Sequence, residues 1–366
     1  MTVLGTRALN RALLARQFLL ERAEIPALDA VRHLVGMQAQ APFSPYYGLW
    51  TRLADFRQEE LSNLLLDRAV ARLVCLRGTV HLVTADDALA LRAFTQPVMD
   101  ADLRRNTTHT SRLAGVDLGE LTALVRDVLA EGPLDYRKLG RRLAQRWPGV
   151  EPASLVFAAR NTQPLVQVPP RAVWGRSGLP TYAVAHDYLD RTPVEHPDVE
   201  EIVLRYLGAF GPATVRDLQT WCGLTRLATV IDRLRPVLAT FSDEAGRELF
   251  DLPGAPRPDP DVPAPARFLP DFDNLLVSHA DRTRIISDDD RLRIRTRNAI
   301  QPGLFLVDGF AAGRWKLIRD KKHATLEIEP FRPLTRADIR DLEDEGGRLL
   351  RFSEVDDGDV VVKTRS

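Results

Sequence analysis

The chain has almost no cysteine. Cys75 and Cys222 are the two thiols among 366 residues, which excludes a disulfide framework and a C-x-x-C metal site and points to a reducing, cytoplasmic setting. No apolar run approaches the roughly 18–20 residues that a membrane helix needs, so no membrane partner is expected. The segment from Met1 to Ala23 lacks a secretory pattern, because Arg7, Arg11, Arg16, Glu21 and Arg22 break its apolar residues into an amphipathic order. A glycine-rich phosphate loop, a G-x-S-x-G elbow and an H-E-x-x-H pair are all missing, and the 7 histidines show no ligand spacing. Neither a metal nor an organic cofactor is therefore expected. Net charge is missing too: 50 Lys and Arg balance 50 Asp and Glu.

The charges are nevertheless segregated. From Asp281 to Lys322 there are 11 basic and 6 acidic residues, a local net of +5; from Arg336 to Asp359 there are 4 basic and 9 acidic, a local net of −5. A basic face survives a zero total when charge is distributed this way. The run Arg291 to Arg297 reads as a strand. Arg291, Arg293, Arg295 and Arg297 would then stand in a row suited to phosphates, or form a solvated edge that discourages aggregation. A second basic cluster, Arg314, Lys316, Arg319, Lys321 and Lys322, follows the Gly309–Gly313 turn, and the two together favour a nucleic-acid partner.

Periodicity gives an α+β chain with an internal repeat. Helices are expected over 6–22, 27–35, 48–53 and 58–67, then strands over 70–76 and 79–84. The segment from Met37 to Pro45 reads as a loop, punctuated by Gly36, Pro42 and Pro45. Helices over 118–131, 135–147 and 151–161 lead into strand and wing segments over 165–168 and 173–185. Helices over 198–210, 214–221 and 225–234 lead into strands over 237–241 and 247–252. Asp135 and Thr214 are the expected N-caps. Helices followed by a strand pair are the pattern of a winged helix, here in three tandem units at 1–115, 116–196 and 197–255. The proline-rich stretch from Asp251 to Pro270 opens a β-rich unit, 256–366, with strands over 274–278, 291–297, 304–307, 314–318, 325–330 and 360–363 and a helix over 335–345.

Five stretches carry a resemblance that runs through the chain in order. They are Val35-Gly36-Met37-Gln38-Ala39-Gln40-Ala41-Pro42, Leu76-Arg77-Gly78-Thr79-Val80-His81-Leu82, Leu269-Pro270-Asp271-Phe272-Asp273-Asn274, His279-Ala280-Asp281-Arg282, and the run from Leu306 to Trp315. The chain resembles the winged-helix DNA glycosylases typified by AlkZ and YcaQ, and its Gln-x-Gln form is similar to the AlkZ branch. The resemblance implies three tandem winged-helix units in a C-shape, a barrel-like C-terminal β domain, and double-stranded DNA carrying alkylated or crosslinked guanine in the channel. It implies Gln38 and Gln40 as the catalytic pair and a DNA-probing hairpin, expected within Arg293 to Trp315. Arg77 and His81 match family motifs and join Arg291, Arg293, Arg295, Arg297, Arg314 and Lys316 as candidate DNA contacts; Asp273 matches as well. The branch is associated with self-resistance to DNA-alkylating natural products. The expected protein is a cytoplasmic, nucleoid-associated monomer.

The chemistry such a site needs is modest. An amide cannot act as acid or base; it can hold a water and offer a dipole. An N7-alkylated guanine is already cationic and leaves as a neutral base, so two amides suffice there and fail on intact bases. The nearest lysine in sequence is Lys138, so no lyase step is expected. Two alternatives stand beside this reading: a non-enzymatic winged-helix DNA-binding protein that regulates or sequesters adducts, and a broader N7-alkylguanine repair glycosylase.

Overall fold

The computed structural model describes residues 2–294, 301–320, 323–355 and 357–363. One order of elements recurs three times: helix, short strand or bridge, two helices, strand pair. The first set follows β1 (Val3–Leu4) and α1 (Thr6–Arg16). It comprises α2 (Ala27–His33), β2 (Met37–Gln38), α3 (Ser44–Trp50), α4 (Gln58–Leu66), β3 (Val70–Val74) and β4 (Val80–Thr84). Helices α5 (Ala85–Phe94) and α6 (Gln96–Arg105), which sequence periodicity did not resolve, connect to the second. That set is α7 (Leu118–Ala130), β5 (Leu134–Asp135), α8 (Tyr136–Ala144), α9 (Pro152–Thr162), β6 (Leu165–Gln167) and β7 (Thr181–Val184). After α10 (Ala185–Leu189) comes the third: α11 (Val199–Phe210), a bridge at Ala213, α12 (Val215–Cys222), α13 (Ala228–Leu234), β8 (Ala239–Asp243) and β9 (Glu248–Asp251). Asp135 accepts from the amides of Arg137 and Lys138, and Thr214 from that of Asp217, so both caps sit where the sequence places them.

The three sets are fused rather than strung. Strands β3 and β6 pair antiparallel through Arg72 with Gln167 and Leu73 with Val166, which joins the first two strand pairs into one six-stranded sheet. Strand β1 pairs in parallel with β8, tying the start of the chain to the third set. Helix α1 adds a buried, bidentate ion pair from Arg16 to Asp251, at 2.6 and 2.9 Å. The proline-rich stretch is irregular, with turns at 253–255 and 260–262, and is not loose: Arg7, Arg11 and Arg16 each donate to its backbone carbonyls.

The C-terminal unit is an open sheet and not a barrel. Its strands run β10 (Arg267–Leu269), β11 (Leu304–Val307), β12 (Phe310–Asp320), β13 (His323–Pro330) and β14 (Gly358–Val362), with β10 and β14 at opposite edges. The edges do not meet because helix α15 (Arg336–Phe352) covers a face instead. Leu342, Leu349 and Leu350 on the helix join Ala324, Leu326 and Ile328 of β13 in one apolar cluster.

Two expected strands are helical. Residues Asp288–Arg293 form α14, so Arg291 and Arg293 do not stand in a strand row; Arg295 and Arg297 lie outside the described residues. Ser287 caps the helix, three aspartates fill its first turn, and Arg291 and Arg293 each pair with an aspartate three residues earlier. These local signals outweigh the alternation of charge. Residues Asn274–Leu276 form a 3-10 turn capped by Asp273. Among the described residues, no helix is long and apolar enough to cross a membrane.

Candidate active site

The Gln-x-Gln segment starts as a strand rather than a loop. Gly36 makes this possible. Its φ of +90° is one that other residues adopt at a cost, and a Cβ there would lie 2.7 Å from Val83 Cγ1. The chain turns at Gly36 and enters β2, which pairs antiparallel with β4, Met37 opposite Leu82 and Gln38 opposite His81. The ladder continues as the Ala39 amide donates to the Val80 carbonyl at 2.8 Å. Ala39 is fully buried, while Gln38 retains 7% exposure and Gln40 is open to solvent. Gln40 lies in the bend that follows β2, so the segment carries one recessed and one exposed amide flanking a fully buried alanine.

Both amides are held. Arg77 Nη2 donates to Gln38 Oε1 at 2.9 Å, and the backbone amide of Val80 donates to Gln40 Oε1 at 3.3 Å. Arg77 lies in the turn between β3 and β4 with φ 56° and ψ 15°, a left-handed conformation that is costly for a side chain with a Cβ. Its other nitrogen donates to the carbonyl of Trp221 on α12, so the guanidinium bridges the first and third sets. Burial lowers its pKa from the ordinary 12.5 to about 10, which leaves it charged at neutral pH.

His81 is buried beside it. Arg77 Nη2 approaches His81 Nε2 at 3.3 Å, and His81 Nδ1 lies 3.0 Å from the Thr79 carbonyl. Nδ1–H therefore donates to the carbonyl, and Nε2 accepts from the guanidinium. Burial, with the Arg77 charge second, pushes the imidazole down to about 3, so it is neutral. At 1% exposure His81 presents no surface to DNA; it props Arg77, which in turn orients Gln38.

The motif from Leu269 to Asn274 supports the same strand from the other side. Asp273 forms a bidentate pair with Arg52, 2.8 Å to each oxygen, with both side chains buried. Asn274 covers the free edge of β2: its Nδ2 donates to the Gly36 carbonyl at 2.7 Å, and its Oδ1 accepts from the Gln38 amide at 3.3 Å. Asp273 is thus a fold residue, and Asn274 is a positioning residue that composition and spacing did not single out.

The basic candidates fare differently. Arg314 is engaged by Glu329 through two contacts of 2.9 Å. Lys316 is exposed on β12 and lines a cavity with Ala41, Pro42 and Phe43. The fold therefore brings a lysine beside the glutamine segment, which linear spacing did not suggest. The turn inside the expected hairpin range, at Asp308 and Gly309, is clamped against α1 by Arg7 and Arg11, so it is not a projecting tip. The long hairpin is instead β12–β13, paired from Gly313 with Pro330 out to Asp320 with His323; Lys321 and Lys322 fall between its strands, outside the described residues. A groove of about 600 Å³ lies elsewhere, beside α12. Its Arg235, Arg247 and Arg291 are paired with Glu248, Asp281 and Asp288, while Arg216 and Arg282 line it as well. No cluster of three metal-ligating side chains occurs among the described residues.

The family model for AlkZ-like DNA glycosylases matches residues 31–352. An interstrand DNA cross-link repair glycosylase from Streptomyces sahachiroi is 25% identical over 365 residues, spanning 93% of this chain and 94% of that protein. The solved structure of Streptomyces sahachiroi DNA glycosylase AlkZ matches with a TM-score of 0.81 at 20% identity, over 99% of this chain and 100% of that one, a likeness of fold.

Proposed function

This chain belongs to the AlkZ-like DNA glycosylase family, an enzyme family that hydrolyses N-glycosyl bonds in DNA, and on that premise we propose that it releases bulky or crosslinked N7-alkylpurines as a monofunctional glycosylase. Crosslink unhooking is what the curated relative is named for, and it is the proposed role here, in repair or in self-resistance to a genotoxic natural product. The observation that carries the reading is the pair of amides flanking the buried Ala39, with Gln38 fixed by a charged donor and Gln40 exposed.

Gln38 has one carbonyl lone pair taken by Arg77, so its free amide hydrogens and remaining lone pair are what it can offer. Gln40 is tethered the same way by Val80. Together they hold a water against the sugar carbon while the bond to the cationic base breaks. The oxocarbenium-like state needs charge stabilisation, and a cationic leaving group reduces how much. Intact bases leave as poor anions and are spared.

The thrice-repeated element order supports three winged helices. The exposed cations of β12 support a duplex lying along this side, with the β12–β13 hairpin as its probe. Lys316 is exposed, whereas a lysine nucleophile is normally activated by desolvation or a neighbouring cation, so no Schiff base is proposed.

The test is a duplex carrying an N7-alkylguanine monoadduct or crosslink. The enzyme should yield free modified base and an abasic strand, with no covalent product on borohydride reduction. Gln38→Ala combined with Gln40→Ala should lower single-turnover release by at least about a hundredfold. Release at the rate of the unaltered enzyme overturns the assignment of roles.

A further inference from the structure

The stretch from His279 to Arg284 is almost wholly committed to the fold. His279 Nε2–H donates to the Phe210 carbonyl at 3.0 Å, the Ala280 amide to Asp217 Oδ1 at 2.8 Å, and Arg284 Nη1 to the Pro212 carbonyl at 2.8 Å. Asp281 accepts from Thr283 and pairs with Arg247 at 2.6 Å. Arg282 is the exception. Its Nε reaches the His279 carbonyl at 3.5 Å, the limit of a hydrogen bond, and its terminal nitrogens have no hydrogen bond or ion pair among the described residues.

This cation is half-buried, and burial first, with the Arg291 charge second, lowers its pKa from the ordinary 12.5. A charge partly withdrawn from water without a counterion is costly, and the cost falls when an anion arrives from outside. Arg282 lines the groove of about 600 Å³ beside α12. Arg216, exposed in the first turn of α12, lines it too and likewise has no ion pair among the described residues.

The groove adjoins the glutamine segment through Arg77. Burial chiefly lowers the Arg77 pKa and the Arg282 charge adds to it, so the two guanidiniums are neighbours. Arg77 also holds the Trp221 carbonyl, which lies on the same helix as Arg216, about 7–8 Å along its axis. At about 3.4 Å of rise per nucleotide in B-form DNA, that offset spans roughly two or three nucleotides.

We infer that Arg282, with Arg216 beside it, clamps one backbone phosphate of the duplex two or three nucleotides from the excised base. The inference rests on the proposed duplex substrate and gives it a fixed footing: Arg282 is a positioning residue that sets where the strand lies, while Arg77 orients the amide. A planar guanidinium with both terminal nitrogens free suits a phosphate bidentately. The same chemistry would take a free phosphate ion, so the source of the anion is part of the test.

The experiment uses the full-length enzyme and a duplex with one N7-methylguanine, its 2′-fluoro sugar keeping the bond intact during binding. Linkages near the lesion are neutralised one at a time as methylphosphonates, and affinity is read by anisotropy. One linkage, two or three nucleotides from the lesion, should weaken binding about tenfold for the unaltered enzyme and less than about twofold for Arg282→Gln. Arg282→Gln should itself weaken binding about tenfold and flatten the salt dependence by about 0.9, with the saturated single-turnover rate on unfluorinated substrate within about threefold of the unaltered enzyme. Arg282→Lys should recover part of the affinity, and the exposed Arg216→Ala should lessen the effect of the same linkage. Thermal midpoints should not fall in Arg282→Gln, because the side chain removed has no counterion to lose. Losses that are uniform along the strand, or that persist unchanged in Arg282→Gln, overturn the inference. So does saturable binding of inorganic phosphate at constant ionic strength that vanishes in Arg282→Gln while no linkage matters, which marks a free-anion pocket. A position-specific loss in an enzyme that releases no base keeps the clamp and sinks the glycosylase reading, so the two failures are distinct.

Discussion

Arg77 and Gln38 are joined by a single hydrogen bond of 2.9 Å that crosses from the β3–β4 turn to β2. The donor is a cation held in a left-handed backbone conformation by its bridge to Trp221. Its charge and its geometry converge on one amide oxygen, so its proposed role runs through the glutamine.

Replacing Arg77 should therefore reduce the chemical step more than binding. Arg77→Met is expected to lower the single-turnover rate about tenfold to a hundredfold, with half-saturation shifted by less than about threefold. Arg77→Lys should recover part of the rate, since one donor still reaches Gln38 although the Trp221 bridge is lost. A rise in half-saturation at an unchanged rate would mark Arg77 as a DNA contact instead.

His81 should make the fold sensitive to mild acid. Its ordinary value is 6.5 and its folded value about 3. As pH falls through about 6.5 the unfolded chain takes up a proton that the folded one refuses until about 3. The contribution is intact above 6.5 and drains away between those limits, by at most about 5 kcal/mol. His279, held to about 3 by burial beside Arg284, adds to the same slope. Urea midpoints measured from pH 7.5 to 4 should fall steadily, and His81→Gln should flatten the decline in part. A pH-independent midpoint would contradict the buried neutral imidazole.

Gly36→Ala should damage both stability and activity. The new Cβ meets Val83 at 2.7 Å and the Leu82 carbonyl at 3.1 Å, in a conformation of positive φ. A loss of about 1–3 kcal/mol is expected by chemical denaturation. Base release under conditions where the variant is fully folded should still be impaired, because the turn sets the entry of β2. Full activity in the folded variant would show that the strand tolerates displacement.

The two cations of β12 should differ in their salt signature. Lys316 is exposed without an ion-pair partner among the described residues, whereas Arg314 is already held by Glu329. Lys316→Ala should flatten the dependence of log Kd on log salt by about 0.9, the increment of one phosphate contact, and Arg314→Ala should change it less. The reverse order would make Arg314, released from Glu329, the phosphate contact in place of Lys316.

Much of this arrangement is legible before any coordinates. Asp135 and Thr214 mark helix starts because a short polar side chain satisfies an orphan amide wherever it precedes a helical run, and both do so here. The repeat order is legible for the same reason: it is built from local signals. What fails is long-range. Periodicity cannot say that Gln38 pairs with His81, that Asn274 covers the edge of β2, or that Lys316 arrives beside Pro42, since each partner is distant in sequence. The alternating arginines mislead because only one of two competing local codes is read; the aspartates preceding Arg291 specify a helix start more strongly. The family resemblance points to the glutamines as candidates, but no spacing rule assigns Arg77 as the donor to Gln38.

The ion pairs of α1 have a consequence for biogenesis. Arg16 engages Asp251, 235 residues on, and Arg7 and Arg11 engage Asp308, 301 and 297 residues on, so this helix finds its counterions only late in synthesis. Its apolar stripe has an earlier partner, since Leu13 and Leu14 share a cluster with Val203, Tyr206 and Leu207 of α11, but its three arginines do not. Charge pairing on this helix is accordingly among the last contacts that synthesis makes possible, after its apolar packing.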